Sequence, residues 1–179
     1  MLNYKKPEAW LAATALVVVL AVIIGLAVNP RDRAKNFAAR LLEHRTEYIG
    51  DNSKVGGIIM NLEYPENVEY GSFELLTGSR PFAVVVRLNT DSDTLNFYTE
   101  DLNKRPFYRN AVIMLSLIHN ADNIRFVLDD GSDSHLIEFT RAMAESRVGG
   151  DLWEHSASQE QFERFLEMLE SVEMAIPGP

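Results

Sequence analysis

From Leu11 to Val28 no residue carries a charge, and Thr14 and Gly25 are the mildest of interruptions in a run of Val, Ile, Leu and Ala. A soluble helix alternates an apolar stripe with polar positions, whereas this run is apolar on every face. At about 1.5 Å per residue the stretch from Trp10 to Val28 reaches roughly 28 Å, close to the thickness of a bilayer's hydrocarbon. The pattern predicts one transmembrane helix over residues 10–28, with Trp10 suited to one interface and Asn29-Pro30 ending the helix at the other. A cleaved signal peptide is the rival reading, because Lys5 and Lys6 precede the run. Against it, the run exceeds the roughly 7–15 residues of a signal core, and Pro30 stands where a peptidase needs an extended small-residue site. The Gly25-x-Ala27 pair keeps cleavage open as an alternative.

Beyond the run the rhythm changes to helical spacing. Phe37, Ala38, Leu41 and Leu42 predict a short amphipathic helix over Ala34 to His44, with Glu43, His44 and Arg45 at its solvated end. Gly50 reads as a stop, one of Asp51, Asn52 and Ser53 as an N-cap, and Val55, Ile58, Ile59 and Leu62 as the face of a second helix. Gly56-Gly57 inside that helix costs up to about 1 kcal/mol per position relative to Ala, which predicts close packing against a sheet. The segments NVEYGSFELLTG, PFAVVVRLNT and TLNFYTED then carry the β-branched and aromatic residues of strands, joined by short polar connections that predict antiparallel hairpins. In RPFYRNAVIMLSLIHN, Phe107, Ala111, Met114, Leu115 and Ile118 line the face of a main helix laid across the sheet. IRFVLDD and HLIEFT predict a second hairpin, TRAMAESRV a short helix stopped by Gly149-Gly150, and Ser158 caps a final helix whose face is Phe162, Phe165, Leu166 and Leu169. The fold class expected is α+β, an antiparallel sheet packed against helices, preceded by the transmembrane helix.

Charge narrows the partners. Setting aside Lys5, Lys6 and Glu8, 15 Lys and Arg beyond Val28 face 25 Asp and Glu, a net charge of −10. Such a domain is ill suited to nucleic acid or anionic lipid headgroups. There are no cysteines, which removes disulfides, thiolate ligands and Cys nucleophiles. Basic residues flank both ends of the apolar run, Lys5 and Lys6 against Arg31, Arg33 and Lys35, so charge alone leaves its orientation undecided.

Candidate chemistry is sparse. The four histidines, His44, His119, His135 and His155, include no H-E-x-x-H pair. His119 near a helix end suits the terminal carbonyls, while His135 and His155 read as exposed hairpin and loop residues. Asp129, Asp130, Asp133 and Glu138 lack the register of a calcium loop, with its sixth glycine and twelfth glutamate. Gly50 to Gly57 is not a phosphate loop, because Lys54 precedes the glycine pair. No G-x-S-x-G or S-x-x-K nucleophile motif stands out with its companions. The expectation is a non-enzymatic protein with no cofactor and no metal site. Asp51, Asn52 and Lys54, converging at a helix start, are the candidate binding residues.

The opening YKKPEAW before the apolar run, and Asn29-Pro30 after it, resemble the last membrane span of beta-lactam-sensor-type (BlaR/MecR-like) membrane metallopeptidases of Gram-positive bacteria. YIGDNSKVGGIIMNL, YGSFELLTGSRPFAVVV and NAVIMLSLIHNADNIRFVL resemble a domain of unknown function (DUF4825-like) that follows that span in some of those proteins. The resemblance weakens after about Thr140. It implies a cytoplasmic N-terminus over residues 1–9, a stalk over 29–35, and an extracytoplasmic α+β domain over 36–176. Those metallopeptidases carry their zinc motif in an earlier membrane domain, which has no counterpart in the present sequence. The expected function is therefore a single-pass membrane-anchored sensory or binding module at the cell membrane. The alternative is an accessory or regulatory subunit of a separate membrane peptidase, associating through the span, where Ala21 and Gly25 give a small-x-x-x-small spacing.

Overall fold

The computed structural model describes residues 30–171. The predicted N-terminus (1–9), the span (10–28) and the last residues of the predicted 36–176 domain lie outside them. By internal contacts the chain divides into two units, residues 1–36 and 37–179. Among the described residues no helix is long and apolar enough to cross a membrane.

Helix α1 covers Pro30–Leu42, starting four residues ahead of the predicted Ala34 and taking in most of the predicted stalk. Proline is at home in a first helical turn, where its missing N–H has no partner to lose, and Asp32 and Arg40 lie at the ends of the helix that favour their charges. After a loop, α2 (Asn52–Asn61) buries Val55, Ile58 and Ile59, as their spacing predicts. The loop between them is tied to the interior: Thr46 N–H donates to the Leu117 carbonyl at 2.9 Å, His119 N–H to the Thr46 carbonyl at 3.0 Å, and Ile49 N–H to Asn120 Oδ1 at 2.6 Å.

Strands β1 (Glu69–Leu76) and β2 (Ala83–Asn89) form the first predicted hairpin, with a bulge between Tyr70 and Ser72. The third predicted strand does not exist. Residues 92–99 form helix α3 (Ser92–Thr99), and a 3-10 turn (Asp101–Lys104) leads into α4 (Arg105–Leu117). The β-rich composition of TLNFYTED was overridden by two local features. The Asp91 carboxylate accepts the Thr94 N–H at 2.7 Å as an N-cap, an acceptor role that holds its pKa below the ordinary carboxylate value, and Leu95 and Tyr98 fall on one buried helical face.

This change alters the sheet. A chain that leaves β2 through two helices returns alongside it, so β3 (Asn123–Asp129) pairs with β2 in parallel, Val84 opposite Ile124 and Val86 opposite Phe126. β4 (Ser134–Thr140) closes the predicted second hairpin antiparallel to β3. The sheet, in the order β1-β2-β3-β4, is therefore mixed and not antiparallel as expected. Helix α5 (Arg141–Val148) ends on Gly149 at φ 85°, a left-handed stop that suits glycine. A 3-10 turn (Leu152–Ser156) and α6 (Gln159–Ser171) follow, with the Ser158 hydroxyl accepting the Gln161 N–H.

One side of the sheet supplies the core. Val84, Val86 and Leu88 on β2, Ile124, Phe126 and Leu128 on β3, and Ile137 and Phe139 on β4 are buried. Against them lies α4, buried from Phe107 to Leu117 apart from Arg109. Tyr98, Phe107 and Phe126 stand in an aromatic row at 4.9 and 5.4 Å between ring centres. The other side of the sheet is polar in part, and Arg125 bridges to Glu138 there at 2.6 Å.

The glycine pair is explained by two different neighbours. A Cβ on Gly56 would stand 3.3 Å from the Phe73 ring on β1, the sheet contact the sequence predicts. A Cβ on Gly57 would stand 2.2 Å from the imidazole of His44, so that histidine is half-buried against α2 and not a solvated end. Gly57→Ala should therefore destabilise the protein by about 1–3 kcal/mol despite alanine's better helix propensity. His44→Ala in the same chain should recover most of that loss, and urea unfolding of the single and double variants measures both.

Candidate functional site

The predicted trio occupies the junction of two helix ends. Asp51 accepts the Lys54 N–H at 3.1 Å as the N-cap of α2, and the Lys54 ammonium reaches back to the Glu43 carbonyl just past α1. Asn52 is exposed in the first turn. Asp51 and Lys54 thus engage backbone groups and fasten α2 to the end of α1.

His135 and His155 are more enclosed than their hairpin and loop positions suggest. His119 stays exposed, but its ring lies 4.8 Å from Trp153, whose indole also carries the Arg45 guanidinium at 3.2 Å. Arg45 donates to Ser156 Oγ at 2.8 Å and to the Trp153 carbonyl at 3.2 Å, and burial lowers its pKa against the opposing pull of Glu154 and Glu47. His155 is half-buried and stacks on Phe165 at 4.4 Å. His135, also half-buried, points with Ile137 and Phe139 toward the helices, and its Nε2 is closed off without a hydrogen-bond partner. Burial lowers its pKa first and the Lys104 ammonium adds to that, while Asp101 and Asp133 oppose. Among the described residues no group of three or more His, Cys, Asp and Glu could hold a metal ion.

Two polar clefts lie at the ends of α4. The first, about 380 Å³, is lined by His119, Arg141, Glu145, Gly150 and Asp151. Its guanidinium is committed to the fold. Arg141 donates through Nη2 to the Leu115 and Ile118 carbonyls at 2.7 and 2.8 Å, through Nε to the Ala121 carbonyl at 2.8 Å, and through Nη1 to Glu145 at 3.3 Å. Asp151 accepts the Trp153 N–H at 2.9 Å. These groups close the end of α4 and start the turn that carries Trp153.

The second cleft, about 310 Å³, lies where the chain leaves α2, beside the start of α4 and the end of α6. Tyr64, Pro65 and Pro106 give it flat apolar walls. Asn110, 1% exposed, donates through Nδ2 to the Glu63 carbonyl at 2.9 Å, while its Oδ1 has no donor. Arg109 lies over the Phe37 ring at 5.6 Å and reaches Glu170 at 3.3 Å. The Tyr64 hydroxyl donates to the Ile59 carbonyl at 3.2 Å, and burial raises its pKa so that it stays a neutral donor. Asn110 was missed in the sequence, yet it was findable: it stands three residues after Phe107 and four before Met114, on the face those two define.

A mixed four-stranded sheet under a buried helix, with small polar clefts at the helix ends, defines the unit from Phe37 onward, as far as it is described, as an α+β domain. Residues 41–140 match the family described as Domain of unknown function (DUF4825), and the chain belongs to that family. No curated protein and no solved structure matches it. The matched region contains every wall of the second cleft except Glu170, whereas Arg141, Glu145, Gly150 and Asp151 of the first lie beyond it.

Two outcomes follow from this geometry. Arg141→Met removes the guanidinium from the Leu115, Ile118 and Ala121 carbonyls, leaving Ile118 only its 3.3 Å bond from the Ala121 N–H, and should lower the unfolding free energy by about 3 kcal/mol, measured by urea titration. His135 sets a pH dependence. Its folded pKa lies below the unfolded value, so the unfolded chain binds more protons between the two, and stability rises with pH through that window. The protein should hold its full His135 contribution above about pH 6.5 and lose it as pH falls toward the lowered folded value. His135→Gln should flatten that limb of the pH–stability curve.

Proposed function

We propose that the protein is a single-pass membrane-anchored extracytoplasmic binding module without catalytic activity. Three observations support the reading. The uncharged run from Leu11 to Val28 has the length and apolarity of a span. Its flanking YKKPEAW and Asn-Pro resemble the last span of BlaR/MecR-like metallopeptidase sensors, and the chain belongs to a family that the sequence resemblance places after such a span. The observation that carries the binding role is Asn110, a buried amide whose acceptor lacks a donor beside an open cleft. Native proteins rarely leave such a group unpaired, and doing so costs about 1–3 kcal/mol. Asp51, Asp151 and Ser156, groups with acid, base or nucleophilic potential, are engaged in caps and turns.

External protease applied to intact cells should remove the C-terminal domain while leaving a membrane-embedded N-terminal fragment. A domain protected until the cells are opened would overturn the proposed placement. Replacing residues 11–28 with an unrelated apolar span separates the binding module from an accessory subunit. A module keeps its ligand and partner binding after the swap, whereas loss of association with a membrane peptidase would assign that association to the span.

A further inference from the structure

We infer that the cleft at Asn110 binds an amine, a ligand presenting an ammonium group on an apolar body. The inference rests on the reading of the domain as a binding module and names what the module takes.

The hydrogen-bonding state of the cleft wall points to a donor. The Asn110 amide nitrogen bonds the Glu63 carbonyl, the Tyr64 hydroxyl bonds the Ile59 carbonyl, and the Arg109 guanidinium is turned to Glu170. Among the charged side chains on the wall, two carboxylates face one guanidinium. Asn110 Oδ1 has no donor, and the Glu63 and Glu170 side chains are exposed, Glu170 at 67% even with Arg109 beside it. A ligand that brings negative charge meets two carboxylates of its own sign beside the single Arg109 guanidinium, whereas one that brings N–H groups and positive charge meets an amide oxygen without a donor and those two carboxylates. Charge-assisted bonds of this kind are about twice as strong as neutral ones.

Shape narrows the choice further. Tyr64, Pro65 and Pro106 present an aromatic and two pyrrolidine rings, a rigid surface that accepts a flat or aliphatic body. The volume of about 310 Å³ suits one side chain or a small molecule, not a folded partner. Asn110 Oδ1 is closed to solvent, so its bond to an ammonium requires the ligand to displace the side chains that cover it. Both a free amine and the lysine of a peptide present this chemistry.

The experiment uses the full chain in nanodiscs, with ¹⁵N-labelled asparagine and arginine side chains. Benzylamine, benzyl alcohol and benzoate serve as cationic, neutral and anionic probes of one shape, and acetyl-Pro-Lys-Pro-amide as the peptide-borne amine. Benzylamine should saturate with a dissociation constant on the order of millimolar and shift the Asn110 and Arg109 signals. Benzyl alcohol should bind at least about tenfold more weakly and benzoate not at all. Asn110→Ala should weaken benzylamine roughly tenfold. Because that change also removes a bond to Glu63, the exposed pair Glu63→Gln with Glu170→Gln provides a second variant that leaves the core alone and should weaken benzylamine several-fold at low salt. Tighter binding of the peptide assigns the site to peptide-borne lysine; tighter binding of benzylamine assigns it to a free amine. Absence of saturation by either amine, equal binding of benzoate, or shifts confined to residues outside 63–65, 106–110 and 170 would overturn the inference. Shifts of the last kind would leave the binding-module reading in place with its ligand elsewhere.

Discussion

Helix α4 is enclosed along most of its length, and enclosure creates a demand at its C-terminal end. The last carbonyls of a helix have no partner within it, and water cannot reach them at the bottom of a core. Arg141 answers that demand with bonds to Leu115, Ile118 and Ala121, and Thr46 takes the Leu117 carbonyl. A planar, permanently charged fork is suited to the task, since one side chain serves several acceptors at fixed angles. The loop before α2, the start of α5 and the beginning of β3 all converge on this end of α4. Asp122 adds to the junction by accepting the Arg80 guanidinium at 2.6 Å and the Phe82 N–H at 2.7 Å, which ties the approach to β2 to the approach to β3.

Much of this arrangement was legible in the order of apolar residues. The face of α4, the β3-β4 hairpin, the Gly149 stop and the Ser158 cap all obey local rules, and local rules are visible in a single sequence. The parallel pairing of β2 with β3 was not. It depends on whether residues 92–99 form a strand or a helix, and there the composition favoured a strand while Asp91 and the spacing of Leu95 and Tyr98 favoured a helix. One misassigned element of eight residues was enough to turn an expected antiparallel sheet into a mixed one, through the β2-β3 pair alone. The enclosure of His44 and His135 was illegible for another reason: each is buried by a segment distant in sequence, α2 for the one and the 3-10 turn before α4 for the other.

The candidate site divides in the same way. Asp51, Asn52 and Lys54 are neighbours in sequence at a helix start, and Asp51 caps α2 while the Lys54 ammonium bonds the Glu43 carbonyl just past α1. The Asn110 cleft is assembled from the exit of α2, the first turns of α4 and the end of α6, more than a hundred residues apart at the extremes. Its distinguishing property is a buried amide oxygen without a donor in a wall that carries two carboxylates, which emerges only when the three segments are side by side.

The region matched to the family ends at Thr140, and the residue that seals α4 is the next one in the chain. Trp153, the shelf between Arg45 and His119, and the whole of α6 also lie past that point. The matched segment is therefore shorter than the unit that packs together. Cut at the family boundary, the chain would keep all four strands and its central helix but lose the side chain that closes the helix. A recombinant fragment intended to stand alone has to be bounded by physics, through α6, and not by homology.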